Sequence, residues 1–189
     1  ACTGIVTKAL FDVIEYDKNY MINELEGVDV IGPNDERTRI PLHEYVICRH
    51  KFDNFVADKA RSAGAKIELS HRYVGREGNT LIFKVNGETV RKETDILIGA
   101  DGPLSRVAQS TGIGNKNPFW VGMQATVKAS FNPKVFTTWF RNDLAPGFFA
   151  WSVPENETLS RVGVAVTNDK NCAQCFQQLM KMVGGEIVD

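Results

Sequence analysis

The sequence predicts a mixed α/β protein in which a partial parallel sheet with helices is interleaved with an antiparallel β-sheet. Three observations predict it. The stretch Asp95-Ile-Leu-Ile-Gly-Ala-Asp-Gly-Pro-Leu-Ser-Arg-Val107 holds a short β-branched apolar run of the kind that parallel sheets bury on both faces, then a Gly-rich turn into a helix. Asn86-Gly87 separates two strand-like segments, and its two residues tolerate the positive φ that a two-residue hairpin demands. Val121, Met123, Ala125, Val127 and Ala129 alternate with more polar partners, the pattern of a half-buried antiparallel strand.

Taken in order, residues 1–14 place Val6, Leu10, Val13 and Ile14 on one face of a short helix. Residues 20–31 and 37–43 read as a β-excursion around the turn Gly32-Pro-Asn-Asp35. A short strand at 45–48 leads to Arg49, after which Phe52, Phe55, Val56, Ala60 and Ala63 keep helical spacing as far as Gly64. Residues 66–70 follow as a strand, the second half of a crossover unit. The hairpin at 81–92 is expected to pair Val85 with Glu88 and Phe83 with Val90. Pro103 suits the first position of a helix carrying Leu104, Val107, Ala108 and Thr111, which Gly112 ends. Beyond 117, strands at 121–129, 135–141, 148–153 and 159–166 read as an antiparallel meander. In the last of these Val162, Val164 and Val166 share one face, while Gly163 and Ala165 leave the other flat enough for close approach. A final helix carries Cys172, Phe176, Leu179, Met180 and Val183 and stops at Gly184-Gly185.

Composition narrows the function classes. Apolar content of 43%, charged content of 24% and a net charge of −1 are ordinary for a globular protein and give no electrostatic case for nucleic acid. There is no apolar window long enough to span a bilayer and no basic-then-apolar leader, which leaves peripheral contact with lipid as the expected membrane relation. The four cysteines form no disulfide framework and are expected to be reduced, in a cytoplasmic protein. Cys172-Ala-Gln-Cys175 lacks a second ligand pair, so ordinary helix core is expected and no metal. His43, His50 and His71 have no partner Ser or Cys motif, which excludes a hydrolase triad.

The run Gly99-Ala-Asp-Gly-Pro-Leu-Ser105 resembles the internal Asp-Gly motif of flavoproteins with the para-hydroxybenzoate-hydroxylase type of fold. Within that superfamily the flanking segments are similar to the geranylgeranyl reductases. Cys2-Thr-Gly-Ile-Val6, Arg49-His-Lys-Phe-Asp53 and Pro146-Gly-Phe-Phe-Ala-Trp-Ser-Val-Pro154 followed by Val162-Gly163 stand in the family's order and span most of the chain. The resemblance implies a partial FAD-binding lobe at 45–112, an antiparallel substrate lobe at 15–44 and 117–168, and a C-terminal helix at 169–189 returning towards the FAD lobe. It also implies an internal fragment of a longer flavoprotein. No strand, Gly-x-Gly-x-x-Gly turn and helix is found; Gly112-Ile-Gly114 follows a helix and has Asn117 where a third Gly belongs. A chain without that phosphate cradle is expected to bind FAD weakly.

The same resemblance implies the site. Arg49 reaches the adenosine side of FAD, and Asp101 and Gly102 support its phosphate region or a nicotinamide donor. Cys2 lies on the substrate side of the flavin as the catalytic thiol. Trp139, Phe148, Phe149 and Trp151, with Phe140, line an apolar pocket for an isoprenoid chain. Val153 stands where the reductases carry Phe, and Ala108 where many hydroxylases carry Arg. The expected activity is reduction of isoprenoid double bonds by reduced FAD, with NAD(P)H or another reductant as donor. The alternatives are an aromatic monooxygenase of the same fold and a non-catalytic lipid-binding module.

Overall fold

A computed structural model describes residues 2–113, 119–167 and 169–189, the last range without the side chains of 169 and 170. The expected start of the antiparallel lobe at 117, the third-Gly position at Asn117 and residue 168 lie outside the described residues. The elements in order are β1 (Ile5–Thr7), a 3-10 helix (Lys8–Asp12), β2 (Met21–Ile31), β3 (Arg37–Ile47), α1 (Arg49–Ser62), β4 (Arg72–Glu77), β5 (Thr80–Val85), β6 (Glu88–Glu93), α2 (Arg106–Thr111), β7 (Val121–Lys128), β8 (Val135–Trp139), β9 (Ala150–Pro154), β10 (Leu159–Val166), α3 (Asp169–Val183) and β11 (Glu186–Ile187). They fall into two compact units, one of residues 1–58 and 120–189, the other of residues 59–119.

The first unit is one eight-stranded mixed sheet in the order β1-β3-β2-β8-β9-β10-β7-β11. Pairing is antiparallel throughout except between β2 and β8, which run parallel with Val28 opposite Phe136. Strands β8, β9 and β10 form the expected meander, but β7 closes on the far side of β10 and is not its first member. Because residues opposite each other in a ladder share a face, the register sorts the side chains into two sets. On one face Val127, Ala150, Val162, Val164 and Val166 pack against Cys172, Cys175, Phe176 and Leu179 of α3. Those four helix positions follow the i, i+3, i+4, i+7 stripe, so one side of α3 is buried and the other is free to be polar. Burial pushes both Cys172 and Cys175 thiols up, as expected of core cysteines with no charged partner. On the other face Leu25, Val46, Trp151, Val153 and Ala165 form a second cluster, joined by Phe136 and Phe149.

The second unit is the three-stranded sheet β4-β5-β6 with α2. Its hairpin pairs Val85 with Glu88 and Phe83 with Val90, with positive φ at both Asn86 and Gly87, as the two-residue turn requires. Tyr73 of β4 and Ser110 of α2 join hydroxyls at 2.7 Å.

The mixed α/β class stands; four local expectations do not. Residues 2–14 do not form one helix, and only Lys8–Asp12 coil, as a 3-10 helix. Ile5, Val6 and Thr7 instead pair with Val46, Tyr45 and Glu44, because three β-branched residues beside a sheet edge gain ladder bonds that a short isolated helix cannot match. Residues 66–70 and 95–98 belong to no strand among the described residues, Leu69 and Ser70 lying in a turn, and Ile96 and Ile98 are 77% and 83% exposed. A strand apolar on both faces needs neighbours on both sides, and the second unit offers none. The helix after Pro103 begins at Arg106, since Ser105 caps it through Ala108 N–H and leaves Leu104 exposed.

One carboxylate is buried within this sheet. Asp29 of β2, 1% exposed, sits between Arg37 and Arg39 of β3, and Arg39 Nη2 reaches its Oδ2 at 2.9 Å. These guanidinium bonds, that of Arg39 first, draw its pKa from 3.8 down to about 2. The folded-state value lies below the unfolded one, so this stabilisation is present above about pH 4 and drains away as pH falls towards 2. Asp29→Asn is therefore expected to destabilise the chain at neutral pH by on the order of 2 kcal/mol, the two half-exposed arginines softening the loss. Thermal unfolding followed across pH 2–7 checks it: the variant's curve should be flatter than the wild type's in the acid limb.

Candidate functional site

The candidate site grows from the aromatic face of the first unit. Trp151 on β9 stands opposite Gly163 on β10, and the indole lies where a side chain at 163 would be, with its Cζ2 only 2.5 Å from the place of a Cβ. Rings then continue in sequence. Phe149 meets Trp151 edge-on at 5.9 Å, stacks on Phe148 at 4.4 Å and lies 5.2 Å from Phe140; Phe148 in turn lies 5.6 Å from Trp120. Trp120, Phe140 and Phe148 are each well exposed, so the row runs from the buried cluster out to the surface. The Trp120 indole N–H donates to the Gly147 carbonyl at 3.1 Å, which fixes that ring although it is half in solvent.

The segment Cys2-Thr3-Gly4 lies against the same face. Gln124 of β7, opposite Gly163, accepts from Trp151 Nε1 at 3.0 Å and donates through Nε2 to the Cys2 carbonyl at 3.2 Å. Arg161 of β10 donates to the Thr3 carbonyl at 2.8 Å and the Ile47 carbonyl at 3.0 Å, while its Nε meets Glu155 at 2.7 Å. Gly4, at φ +74, leaves room for this guanidinium; a Cβ there would stand 2.2 Å from Arg161 Nη1. The exposed Cys2 thiol lies 3.3 Å from Nη1 of Arg49, the first residue of α1. Arg49 also holds Asp53 one turn on, at 3.1 Å and 3.3 Å, and its pKa is raised by Asp53 first and the thiol second.

Of the nine residues implied by the sequence, Phe140, Phe148, Phe149 and Trp151 thus join in one ring row, and the Cys2–Arg49 pair is tied to its Trp151 end through Gln124. Trp139 does not join them. It is opposite Ala150 and packs with the α3-side cluster, because it is an odd number of residues from the Thr138–Trp151 pair. Asp101 and Gly102 belong to the second unit. The Asp101 carboxylate accepts from Ser105 Oγ, from Arg106 N–H at 2.8 Å and from Val107 N–H at 3.2 Å. The Ser105 hydroxyl first, then these amides, hold its pKa below the usual carboxylate range. Gly102, at φ +81, has open space where a Cβ would be, so its backbone is approachable.

Gln124, Arg161, Trp120 and Phe136 were not singled out by the sequence. For Arg161 a signal existed: a cation inside Leu159-Ser-Arg-Val-Gly-Val-Ala-Val166 cannot face the apolar side, and if buried it must be paired. Gln124 gave none, because a polar residue at an alternating position reads as solvent-facing.

A sheet with one face under a helix and the other carrying a continuous aromatic surface defines the class: the mixed-sheet half of a flavoprotein-type fold. The FAD binding domain family model matches residues 21–179, and the chain belongs to that family. It is 25% identical over 185 residues to digeranylgeranylglycerophospholipid reductase 1 of Methanothermobacter thermautotrophicus, covering 90% of this chain and 47% of that protein. It is 28% identical over 178 residues to digeranylgeranylglycerophospholipid reductase 1 of Methanopyrus kandleri, covering 89% and 48%. The chain therefore spans about half the length of the curated relatives it matches. Among solved structures, a geranylgeranyl bacteriochlorophyll reductase-like protein from Thermoplasma acidophilum superposes with a TM-score of 0.88 at 20% identity, over 100% of this chain and 54% of that one. The flavin-dependent halogenase CmlS follows the same fold at a TM-score of 0.67 and 18% identity, over 91% of this chain and 37% of its own.

Placing any side chain at 163 must expel the Trp151 indole, since Met123 O closes the other side at 2.8 Å. Gly163→Ala is expected to cost about 1–3 kcal/mol and to red-shift the tryptophan emission as the ring is wetted. Thermal unfolding and the emission spectrum, compared with the wild type, check both parts.

Proposed function

We propose that the protein carrying this chain is an FAD-dependent oxidoreductase that reduces double bonds of an isoprenoid lipid. The observation that supports it best is the ring row Trp151, Phe149, Phe148 and Trp120, which reaches from a dry cluster to the surface and is tied at its Trp151 end, through Gln124, to the residue bearing the Cys2 thiol. Such a row offers a long, flexible hydrocarbon apolar contact along its length without demanding one fixed pose.

The residues present fit FAD. Arg49 commits one N–H on each of its three nitrogens to Asp53 and the thiol, so two N–H groups of its planar fork are left for phosphate or ribose oxygens. In the second unit, taken by itself, the Asp101 carboxylate is held ionised by its bonds to Ser105, Arg106 and Val107, and the Gly102 backbone beside it is open. When bound, reduced flavin would supply a hydride to one alkene carbon, the other carbon taking a proton. The chain's own part is to hold the alkene against the aromatic face, exclude water from it, and keep Cys2 and Arg49 at its edge. Exposed Trp120, Phe140 and Phe148 would rest in the headgroup region of a bilayer from which such a lipid is drawn; no helix among the described residues is long and apolar enough to cross one.

The full-length protein is expected to show a bound-flavin spectrum with added FAD. After anaerobic reduction by NADPH or dithionite, a geranylgeranylated phospholipid should reoxidise the flavin with loss of double bonds in the recovered lipid. Hydroxylation of a phenol with oxygen uptake would instead establish the monooxygenase, and lipid binding without flavin the non-catalytic module. Phe148→Asp should weaken lipid binding about tenfold and reduce co-sedimentation with phospholipid vesicles while leaving the flavin spectrum unchanged.

A further inference from the structure

We infer that Gln124 and Arg161 are positioning residues, which fix the backbone of Cys2-Thr3-Gly4 so that the thiol meets Arg49 at the edge of the aromatic face. The inference deepens the proposed reductase reading and rests on it for the catalytic consequence.

The hydrogen-bond chemistry admits one arrangement. An indole N–H only donates, so the Gln124 oxygen must face Trp151, and its amide nitrogen is thereby aimed at the Cys2 carbonyl. Gln124 thus ties the ring that anchors the aromatic row to the residue bearing the thiol. Arg161 acts one residue further on. Arg161 is only 9% exposed, a costly placement for a cation, and commits three donors, to the Thr3 carbonyl, the Ile47 carbonyl and Glu155. Ile47 N–H returns a bond to the Gly4 carbonyl at 2.8 Å. Successive carbonyls of residues 2, 3 and 4 are therefore each held by a different donor, from β7, β10 and β3 respectively. A loop that merely needed tethering would be fixed by its ladder bonds at Ile5. Here the three residues before that ladder are also immobilised, and what their immobilisation sets is the direction of the Cys2 side chain.

The test uses Gln124→Glu, which matches the native side chain in shape and keeps the acceptor for Trp151 but loses the donor to Cys2. Arg161→Lys is the second variant, since one ammonium cannot serve two carbonyls and Glu155 together. The first readout needs no flavin: the iodoacetamide alkylation rate at Cys2, located by peptide mass spectrometry. It is expected to change about fivefold or more in Gln124→Glu with the Tm held within a few degrees. The second readout uses the full-length, FAD-loaded, reduced protein, in which flavin reoxidation by a geranylgeranylated phospholipid should slow about tenfold while lipid affinity stays within about twofold. Alkylation and reoxidation both within about twofold of wild type in Gln124→Glu would overturn the inference, as would a Cys2→Ser protein that reoxidises at the wild-type rate. If Arg161→Lys fails to fold, Gln124→Glu still decides. If the wild-type protein itself leaves isoprenoid lipids untouched, the reductase reading falls, and the alkylation rate alone decides whether the segment is held.

Discussion

Everything on the aromatic face depends on the missing side chain at position 163. Trp151 can lie flat on the sheet only because its ladder partner is glycine, and the flat indole turns its N–H sideways to Gln124 rather than outward to solvent. From that single placement the ring row is anchored at its Trp151 end, where Gln124 also binds the Cys2 carbonyl. The opposite face obeys the same pleat with the opposite chemistry. Val162 and Val164, flanking Gly163, point the other way into α3, so one strand supplies a smooth aliphatic surface for a helix and a recess for an aromatic ring.

Charge is admitted to this sheet on restricted terms. Among positions paired in register on β1, β3, β2, β8, β9 and β10, the aromatic face carries two ionisable side chains, Arg161 and Glu44. Arg161 is paired with Glu155 through Nε and donates through Nη1 to the Thr3 and Ile47 carbonyls. Glu44 has a buried oxygen without a partner, and burial raises its pKa towards the neutral acid. On the other face Asp29 is held between Arg37 and Arg39. The buried ions here are either paired with an opposite charge or pushed towards neutrality, which keeps the aromatic face of low polarity.

The alternation of 121–129, the Asn86-Gly87 hairpin with its register, the stripe of α3 and the flat side of the Gly163 strand were all legible, because each is a local pattern with one steric solution. The failures share a different cause. Whether Ile5-Val6-Thr7 becomes helix or strand is decided by a vacant edge on β3, and whether 95–98 pairs is decided by neighbours that no local spacing records. In the candidate site, the family-like motifs named four of the aromatics that the fold brings into one row and both members of the Cys2–Arg49 pair. Trp139 misled because aromatic content says nothing about parity: one residue of register separates it from Trp151's side of the sheet. Gln124 was invisible for the reverse reason, its partners being a carbonyl and an indole 122 and 27 residues away.

Asp101 shows why a capping role and a ligand role need not compete. Its two oxygens accept one hydroxyl and two amide hydrogens, while a carboxylate offers roughly four lone-pair directions. The bonds to Ser105, Arg106 and Val107 consume the side facing α2 and keep the group ionised. They also hold the carboxylate still, and a fixed, ionised acceptor loses less entropy on meeting a ribose hydroxyl than a free one would. The same logic applies to Arg49, steadied by Asp53 with donors to spare. In both places an intramolecular partner fixes the side chain while part of its hydrogen-bonding capacity stays unused, which is what the proposed cofactor contacts would draw on.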